Sequence, residues 1–137
     1  MASIRKEISI DVRPEDAWAA LRDFAAVHER LVPGFVTDAR MDGDDARIVT
    51  FFNGAVVRET LVGIDDEARR LAYAIMDGPL EFAHYNGSAQ VFPDGERCRF
   101  VWIVDVLPHK FAEVVNDLME RGIGVMKTTL ESHAEVR

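Results

Sequence analysis

Glu59 is the side chain of this sequence best suited to acid–base chemistry or to hydrogen bonding in a protein interior. It lies in the stretch AVVRETLVGI, which alternates like a strand but carries polar residues on both faces, so the pattern alone does not say which way Glu59 points. A buried carboxylate is costly unless it is hydrogen-bonded or paired. Tyr73, Tyr85 and Asn53 are candidate partners on neighbouring segments. The alternative is that Glu59 pairs with a basic side chain at the rim of a pocket.

The remaining groups with reactive chemistry are four histidines and one cysteine: His28, His84, His109, His133 and Cys98. The histidines lack the close spacing of metal ligands, and we expect no metal site. His28 or His84 could serve as an acid or base at a cavity mouth, or simply lie on the surface. We interpret Cys98 as an inert thiol within a strand. No GxSxG sequence, phosphate-binding loop or dinucleotide fingerprint occurs, so we expect no cofactor.

Composition narrows the class of protein further. A length of 137 residues with 48% apolar content predicts one domain over residues 1–137. The net charge of −8 argues against a nucleic-acid partner. No apolar run is long enough to insert in a membrane, and the start MASIRKEISIDV lacks the apolar segment of a signal peptide, so we expect a cytoplasmic protein. A homodimer remains open.

The hydrophobic spacing changes twice along the chain. Residues 3–11 alternate as a strand, and a helical spacing then begins at Pro14 and breaks at Asp23–Phe24 into two short helices. A sustained helical stripe occupies residues 109–135. Between them, alternation broken by Gly and Asp turns predicts six more strands, over 35–41, 46–52, 56–64, 70–76, 84–92 and 98–106.

This element order predicts an α+β fold in which a curved seven-stranded antiparallel sheet grips the long C-terminal helix, with two short helices after the first strand. A sheet with one apolar face must pack that face on the amphipathic helix. A sheet of about seven twisted strands curls, and a curled sheet around one rod leaves a gap unless large side chains fill it. We therefore expect an apolar ligand cavity.

Polar residues fix the inward faces of several strands. In CRFVWIVDV the polar positions leave Phe100 and Trp102 facing the helix, and the same logic turns Tyr85 inward in HYNGSAQVF. Tyr73 belongs to the bulky face of RLAYAI. Gly122 and Gly124 interrupt the long helix, where each costs up to about 1 kcal/mol relative to alanine. Either they permit close packing or their missing side chains leave room above the cavity, and we favour the second interpretation.

Several short strings occur together in an order that resembles a known superfamily. They are AWAALRDFAAV followed by LVPG, then FNGAVVRETLVGIDDEARRLAYAI, HYNGSAQVFPDG, and FVWIVDVLP leading into the last helix. Over essentially its whole length the chain is similar to the START-like or helix-grip superfamily, in its small bacterial polyketide cyclase/dehydrase (SRPBCC) branch. That superfamily includes polyketide cyclases, lipid-transfer proteins, pollen allergens and plant hormone receptors, so the resemblance implies the fold more strongly than an activity.

The resemblance also suggests which residues face the cavity. RETL looks like a string of the plant abscisic-acid receptors whose glutamate lines the pocket, which turns Glu59 inward, and Tyr85 and Tyr73 fall where those receptors place a tyrosine and an aromatic residue. FNGA and DGPLEFAHY occupy the positions of their gate and latch loops. The gate proline and the latch His-Arg-Leu string are absent, so the gating of those receptors is not implied. A tryptophan that relatives carry before the proline of the second helix is replaced in HERLVPG by Leu31 and Val32.

Together these arguments predict a protein that binds a hydrophobic or aromatic small molecule, lipid or polyketide-like, in an internal cavity. The alternative is an aromatase/cyclase or dehydratase acting on a polyketide-like substrate, with Glu59 as base and Tyr85 or Tyr73 as hydrogen-bond donor. A third interpretation is a structural partner domain without a ligand. The predicted cavity-lining residues are Phe51, Asn53, Glu59, Leu61, Tyr73, Tyr85, Phe100, Trp102, Leu118, Gly122 and Met126.

Overall fold

Seven antiparallel strands form one sheet that curves around a long C-terminal helix. The structure is a computed structural model and describes residues 2–136, with side chains for residues 2–133. The strands are β1 (Ala2–Ile10), β2 (Val36–Met41), β3 (Ala46–Phe51), β4 (Val56–Asp65), β5 (Arg70–Asp77), β6 (His84–Asp94) and β7 (Arg97–Leu107). The helices are α1 (Pro14–Arg22), α2 (Val27–Arg30) and α3 (Ala112–Val136), with 3₁₀ turns at Phe24–Ala26 and His109–Phe111.

The strand order β1-β7-β6-β5-β4-β3-β2 places the first strand beside the last, while every other pair is consecutive in sequence. Irregularities in the pairing of β4 with β5 lie between Arg58 and Glu59 and between Leu61 and Gly63. Such bulges bend a strand and increase its twist, so they help the sheet to curl. The predicted architecture is confirmed, and the predicted strand bounds agree with the observed ones to within two residues.

The predicted break between the two short helices is also confirmed. Asp23 leaves the helical conformation with a ψ of 76°, and the chain then makes one 3₁₀ turn before α2. This turn brings the ring of Phe24 into the core, where it is 6% exposed. The break thereby places the Phe24 ring where the Arg47 guanidinium stacks on it.

Helix α3 packs on the concave face of the sheet through a stripe with helical spacing. The buried members of the stripe are Val115, Met119, Ile123, Met126 and Leu130. Polar contacts on the flank attach the helix to β1 and the residue after it. Lys6 Nζ lies 2.6 Å from Glu120 Oε1, Lys127 Nζ donates to the Ser9 carbonyl oxygen over 3.0 Å, and the Asp11 amide donates to Glu131 over 2.8 Å.

Among the described residues, no helix combines the length and apolar composition that crossing a membrane requires.

Candidate ligand-binding cavity

A cavity of about 610 Å³ lies between the concave face of the sheet and α3. Its walls come from β3 to β7, from residues 31–36 after α2, and from the loops at 53–55 and 78–82. Ten of the predicted lining residues lie together around it: Phe51, Asn53, Glu59, Tyr73, Tyr85, Phe100, Trp102, Leu118, Gly122 and Met126.

Leu61 was predicted to line the cavity and does not. It packs against the hydrophobic core, and it lies beyond the point where the cavity ends. Arg47 lines the cavity at that end, and its guanidinium carbon lies 3.8 Å from the centre of the Phe24 ring. Leu61 follows the cross-strand pair of Arg47 and Glu59 by two residues along β4, on the far side of this stack.

Glu59 faces the interior, and its partner is Arg47 rather than a tyrosine or Asn53. Arg47 Nε donates to Glu59 Oε1 over 2.8 Å, and Arg47 Nη2 lies 2.7 Å from the same oxygen. Both residues are buried, with Arg47 8% and Glu59 6% exposed. The alternative in which a basic side chain neutralises Glu59 is therefore the one that occurs. Asn53 instead shapes its own turn, where its Oδ1 accepts from the Ala55 amide over 3.1 Å.

The two oxygens of Glu59 differ in their hydrogen bonding. Both Arg47 contacts go to Oε1, and within residues 2–133 no donor reaches Oε2. A fully buried oxygen without a donor would be an unsatisfied polar atom, and in that range the one such side-chain atom is His28 Nδ1. Oε2 therefore keeps some exposure, and Glu59 lines the cavity. The ion pair thus presents one free acceptor oxygen to the cavity.

The two tyrosines of the chain lie near Glu59, and their hydroxyls interact with each other. Trp102 Nε1 donates to the Tyr73 hydroxyl over 3.0 Å, and the rings of Tyr73 and Tyr85 are 6.3 Å apart. Burial, and secondarily the negative charge of Glu59, raises the pKa of Tyr73 well above its ordinary value. Burial also raises the pKa of Tyr85, with smaller contributions from Tyr73 and Glu59. Both hydroxyls therefore stay protonated and can donate hydrogen bonds.

Gly87 positions Tyr73, a role that sequence reasoning missed. The two residues are directly opposite each other on β5 and β6, and the tyrosine ring lies flat over the glycine. A Cβ atom at Gly87 would lie 2.5 Å from Tyr73 Cζ, a distance at which the ring must move. A glycine inside a strand often marks such a close approach, and this signal was available in the sequence.

Aromatic side chains that the sequence prediction omitted complete the cavity wall. The ring of Phe82, in the loop before β6, packs 5.0 Å from both Tyr85 and Phe111. On the other side, Phe35 packs edge-on against Phe51 at 5.5 Å. These rings lie in or next to loops, where no periodicity indicates which way a side chain faces.

Gly122 and Gly124 do not have the role that was expected of them. A Cβ atom at Gly122 would lie 3.0 Å from the Phe35 ring and 3.4 Å from Trp102, so this glycine permits close packing of an aromatic ring against α3. Gly124 is exposed, and a Cβ atom there would meet nothing within 4 Å. Gly122 does line the cavity, but the space beside it is occupied by Phe35.

The two glycines give a matched pair of stability predictions. Gly124→Ala is expected to raise the free energy of unfolding by up to about 1 kcal/mol, because alanine favours the helix and meets no neighbour. Gly122→Ala is expected to lower it by about 1–2 kcal/mol, because the Phe35 ring must shift. Urea denaturation of both variants measures the difference. Equal stabilisation by the two substitutions would contradict the packing of Phe35 described here.

The histidines and the cysteine take no part in the cavity. Neither His28 nor His84 lines it, since His84 is exposed at the start of β6 and His28 lies on α2 with Nε2 3.3 Å from Glu29. Cys98 is fully buried, and burial raises its pKa to about 11, which fits an unreactive thiol. Within residues 2–133, no group of three or more potential ligands is placed to hold a metal ion.

A family model described as polyketide cyclase/dehydrase and lipid transport matches residues 1–132. The chain belongs to this family. None of the curated proteins matches the chain in sequence. The cyclase/dehydrase and lipid transport family and the helix-grip fold support binding of a hydrophobic ligand in general terms.

Solved structures similar to this member of the family confirm the START-like fold. A protein from Bacillus thuringiensis has a TM-score of 0.84 and 18% identity, covering 94% of this chain and 98% of its own. A START superfamily protein from Mycobacterium smegmatis has a TM-score of 0.72 and 13% identity, covering 97% of each chain. Norcoclaurine synthase from Thalictrum flavum, in complex with dopamine and hydroxybenzaldehyde, has a TM-score of 0.70 and 20% identity, covering 96% of this chain and 84% of its own.

Proposed function

We propose that this protein binds a hydrophobic or aromatic small molecule, lipid or polyketide-like, in the cavity between the sheet and α3. The observation that carries the proposal is a cavity of about 610 Å³ whose wall is apolar except for Asn53 and one cluster around Arg47, Glu59 and the tyrosines. Sites for small molecules typically measure about 300–1,000 Å³ and combine an apolar lining with a few placed polar groups. A domain with no ligand would be expected to fill such a space with its own side chains.

The character of the wall supports an occupant with aromatic rings. Tyr73, Tyr85, Phe82 and Trp102 present flat surfaces on the sheet side, and Met119 with Met126 on α3 offers adaptable apolar contacts. Norcoclaurine synthase, which shares the fold, is known in complex with two aromatic molecules. This neighbour makes an aromatic ligand a reasonable first choice for binding experiments.

Binding without chemistry is favoured over the cyclase or dehydratase alternative. Among the described lining residues, Glu59 is the one carboxylate, and Arg47 already neutralises it at 2.7 Å. Proton abstraction followed by loss of water needs both a free base and an acid. The tyrosines can donate hydrogen bonds to a carbonyl oxygen, but their raised pKa keeps them protonated at neutral pH, so neither supplies a free base. The cluster is therefore better suited to orienting a ligand than to moving protons.

A substitution that fills the cavity tests the proposal. Leu118→Trp adds bulk on the cavity side of α3 and is expected to weaken binding of the uncharged fluorescent probe N-phenyl-1-naphthylamine at least about tenfold. Val62→Trp adds the same ring on a strand position that is 61% exposed and should leave the affinity unchanged. Fluorescence titration measures both variants. Equal affinities for wild type and Leu118→Trp would place the probe outside this cavity, and an absence of probe binding to wild type would remove the proposed function.

A further inference from the structure

The polar end of the cavity contains balanced charges, and this limits the ligands that fit it. Arg47 is the one cationic residue among the described lining residues, and Glu59 is the one anionic residue. The guanidinium is engaged at all three nitrogens: Nε donates to Glu59 Oε1, Nη2 lies 2.7 Å from the same oxygen, and Nη1 donates to the Phe24 carbonyl oxygen over 2.9 Å. The cavity therefore has no uncompensated positive charge for an acidic ligand.

A ligand carboxylate would add a second negative charge beside Glu59. One guanidinium would then face two carboxylates in apolar surroundings, where repulsion between like charges is weakly screened. The stacked Phe24 ring covers one face of the guanidinium and leaves water little room to compensate. Carboxylic acids, including fatty acids, are thus poor candidates for this site in their ionised form.

A ligand hydroxyl matches the same place well. Glu59 Oε2 is a charged acceptor that has no donor within residues 2–133 and keeps access to the cavity. Hydrogen bonds to a charged acceptor are roughly twice as strong as neutral ones. The Tyr85 hydroxyl stays protonated and interacts with the Tyr73 hydroxyl, and by rotating it can donate instead to the oxygen of the ligand hydroxyl. A phenol or alcohol is both donor and acceptor, as this arrangement requires.

We propose that the ligand is uncharged and carries a phenol or alcohol group that donates its proton to Glu59 Oε2 in a hydrogen bond. This inference rests on the proposed function, because it assumes that the ligand occupies this cavity. It specifies the ligand class further, since it separates hydroxylated aromatic or polyketide-like molecules from fatty acids and other carboxylates.

Three probes that share one ring system and differ in a single substituent test the inference on the wild-type protein. They are naphthalene, 2-naphthol and 2-naphthoate, each used to displace N-phenyl-1-naphthylamine at neutral pH. We expect 2-naphthol to bind about tenfold or more tightly than naphthalene, because it gains a hydrogen bond to a charged acceptor. We expect 2-naphthoate to bind more weakly than naphthalene, because it adds an unpaired charge.

Glu59→Gln should change this ranking. The variant leaves the Arg47 charge unpaired, so 2-naphthoate is expected to gain at least about tenfold in affinity relative to 2-naphthol. Asp42→Asn, which removes the acid of the exposed pair with Arg58, is the matched control and should keep the wild-type ranking. Tyr85→Phe removes only a hydroxyl and should lower the advantage of 2-naphthol over naphthalene.

The outcomes separate the two proposals. If the fluorescent probe binds wild type but the three naphthalenes bind equally, or 2-naphthoate binds most tightly, the inference about the ligand class is wrong and the proposed function stands. If neither the fluorescent probe nor any naphthalene binds, both are wrong. Should Glu59→Gln fail to fold, the wild-type ranking and Tyr85→Phe decide the matter without it.

Discussion

Arg47→Met is expected to lower the free energy of unfolding by about 3–5 kcal/mol, because it leaves the Glu59 carboxylate buried without its partner. The two residues are 8% and 6% exposed, so water replaces the lost contacts at 2.7 and 2.8 Å only in part. Asp42→Asn is the control, since it breaks an ion pair whose side chains are 53% and 36% exposed. Its expected cost is below about 1 kcal/mol. Chemical denaturation measures both variants.

A second substitution should restore most of the lost stability. In Arg47→Met/Glu59→Leu both charges are gone, and replacing a buried pair by apolar residues is often neutral. Recovery should be incomplete by about 1 kcal/mol, because the Phe24 carbonyl oxygen still lacks its donor. A double variant as unstable as Arg47→Met alone would mean that lost packing, and not the unpaired charge, causes the effect.

Gly87→Ala is expected to lower the free energy of unfolding by about 2–4 kcal/mol. The added Cβ atom would lie 2.5–2.7 Å from three atoms of Tyr73, and overpacking of this kind costs about 1–3 kcal/mol. Displacement of the ring also breaks the hydrogen bond from Trp102, at about 1 kcal/mol more. The affinity for the fluorescent probe should fall as well, since the ring forms part of the cavity wall.

Gly63→Ala is the matched control for this prediction. Gly63 also lies within a strand, but a Cβ atom there would meet nothing within 4 Å, so the change should stay within about 0.5 kcal/mol. Combining Gly87→Ala with Tyr73→Leu should cost less than the sum of the two single changes, because the smaller side chain removes the clash. Additive costs would show that Gly87 acts through the backbone and not through Tyr73.

The sequence alone predicts the fold. It also predicts which face points inward for each strand whose polar residues lie on one side. Trp102 and Phe100 could be turned inward because Arg99 and Asp105 on the same strand had to face water. The β4 strand allowed no such argument, since Arg58 and Glu59 are adjacent and polar residues fall on both faces. A family resemblance was needed to turn Glu59 inward, and the same alternation then wrongly placed Leu61 at the cavity.

The features that could not be predicted depend on contacts between distant parts of the chain. Arg47 becomes the partner of Glu59 through the register of β3 against β4, and its stack with Phe24 depends on the break before α2. The packing of Phe35 against Gly122 joins residues nearly ninety positions apart. The spacing of residues along one helix or strand does not reveal such pairs. Each side chain fits the pattern of its own helix or strand whether or not its distant partner is present.

The pairing of β1 with β7 has a consequence for when the cavity can form during synthesis. Ala2 lies opposite Val106 and Ile10 opposite Cys98, and α3, which covers the cavity, follows both strands in the chain. Pairings of such large sequence separation close late and slowly, because the intervening chain must first be ordered. Until α3 has been made, the walls of the cavity are incomplete. The cavity therefore takes its shape only once β1, β7 and α3 have come together, and no earlier part of the chain can form it alone.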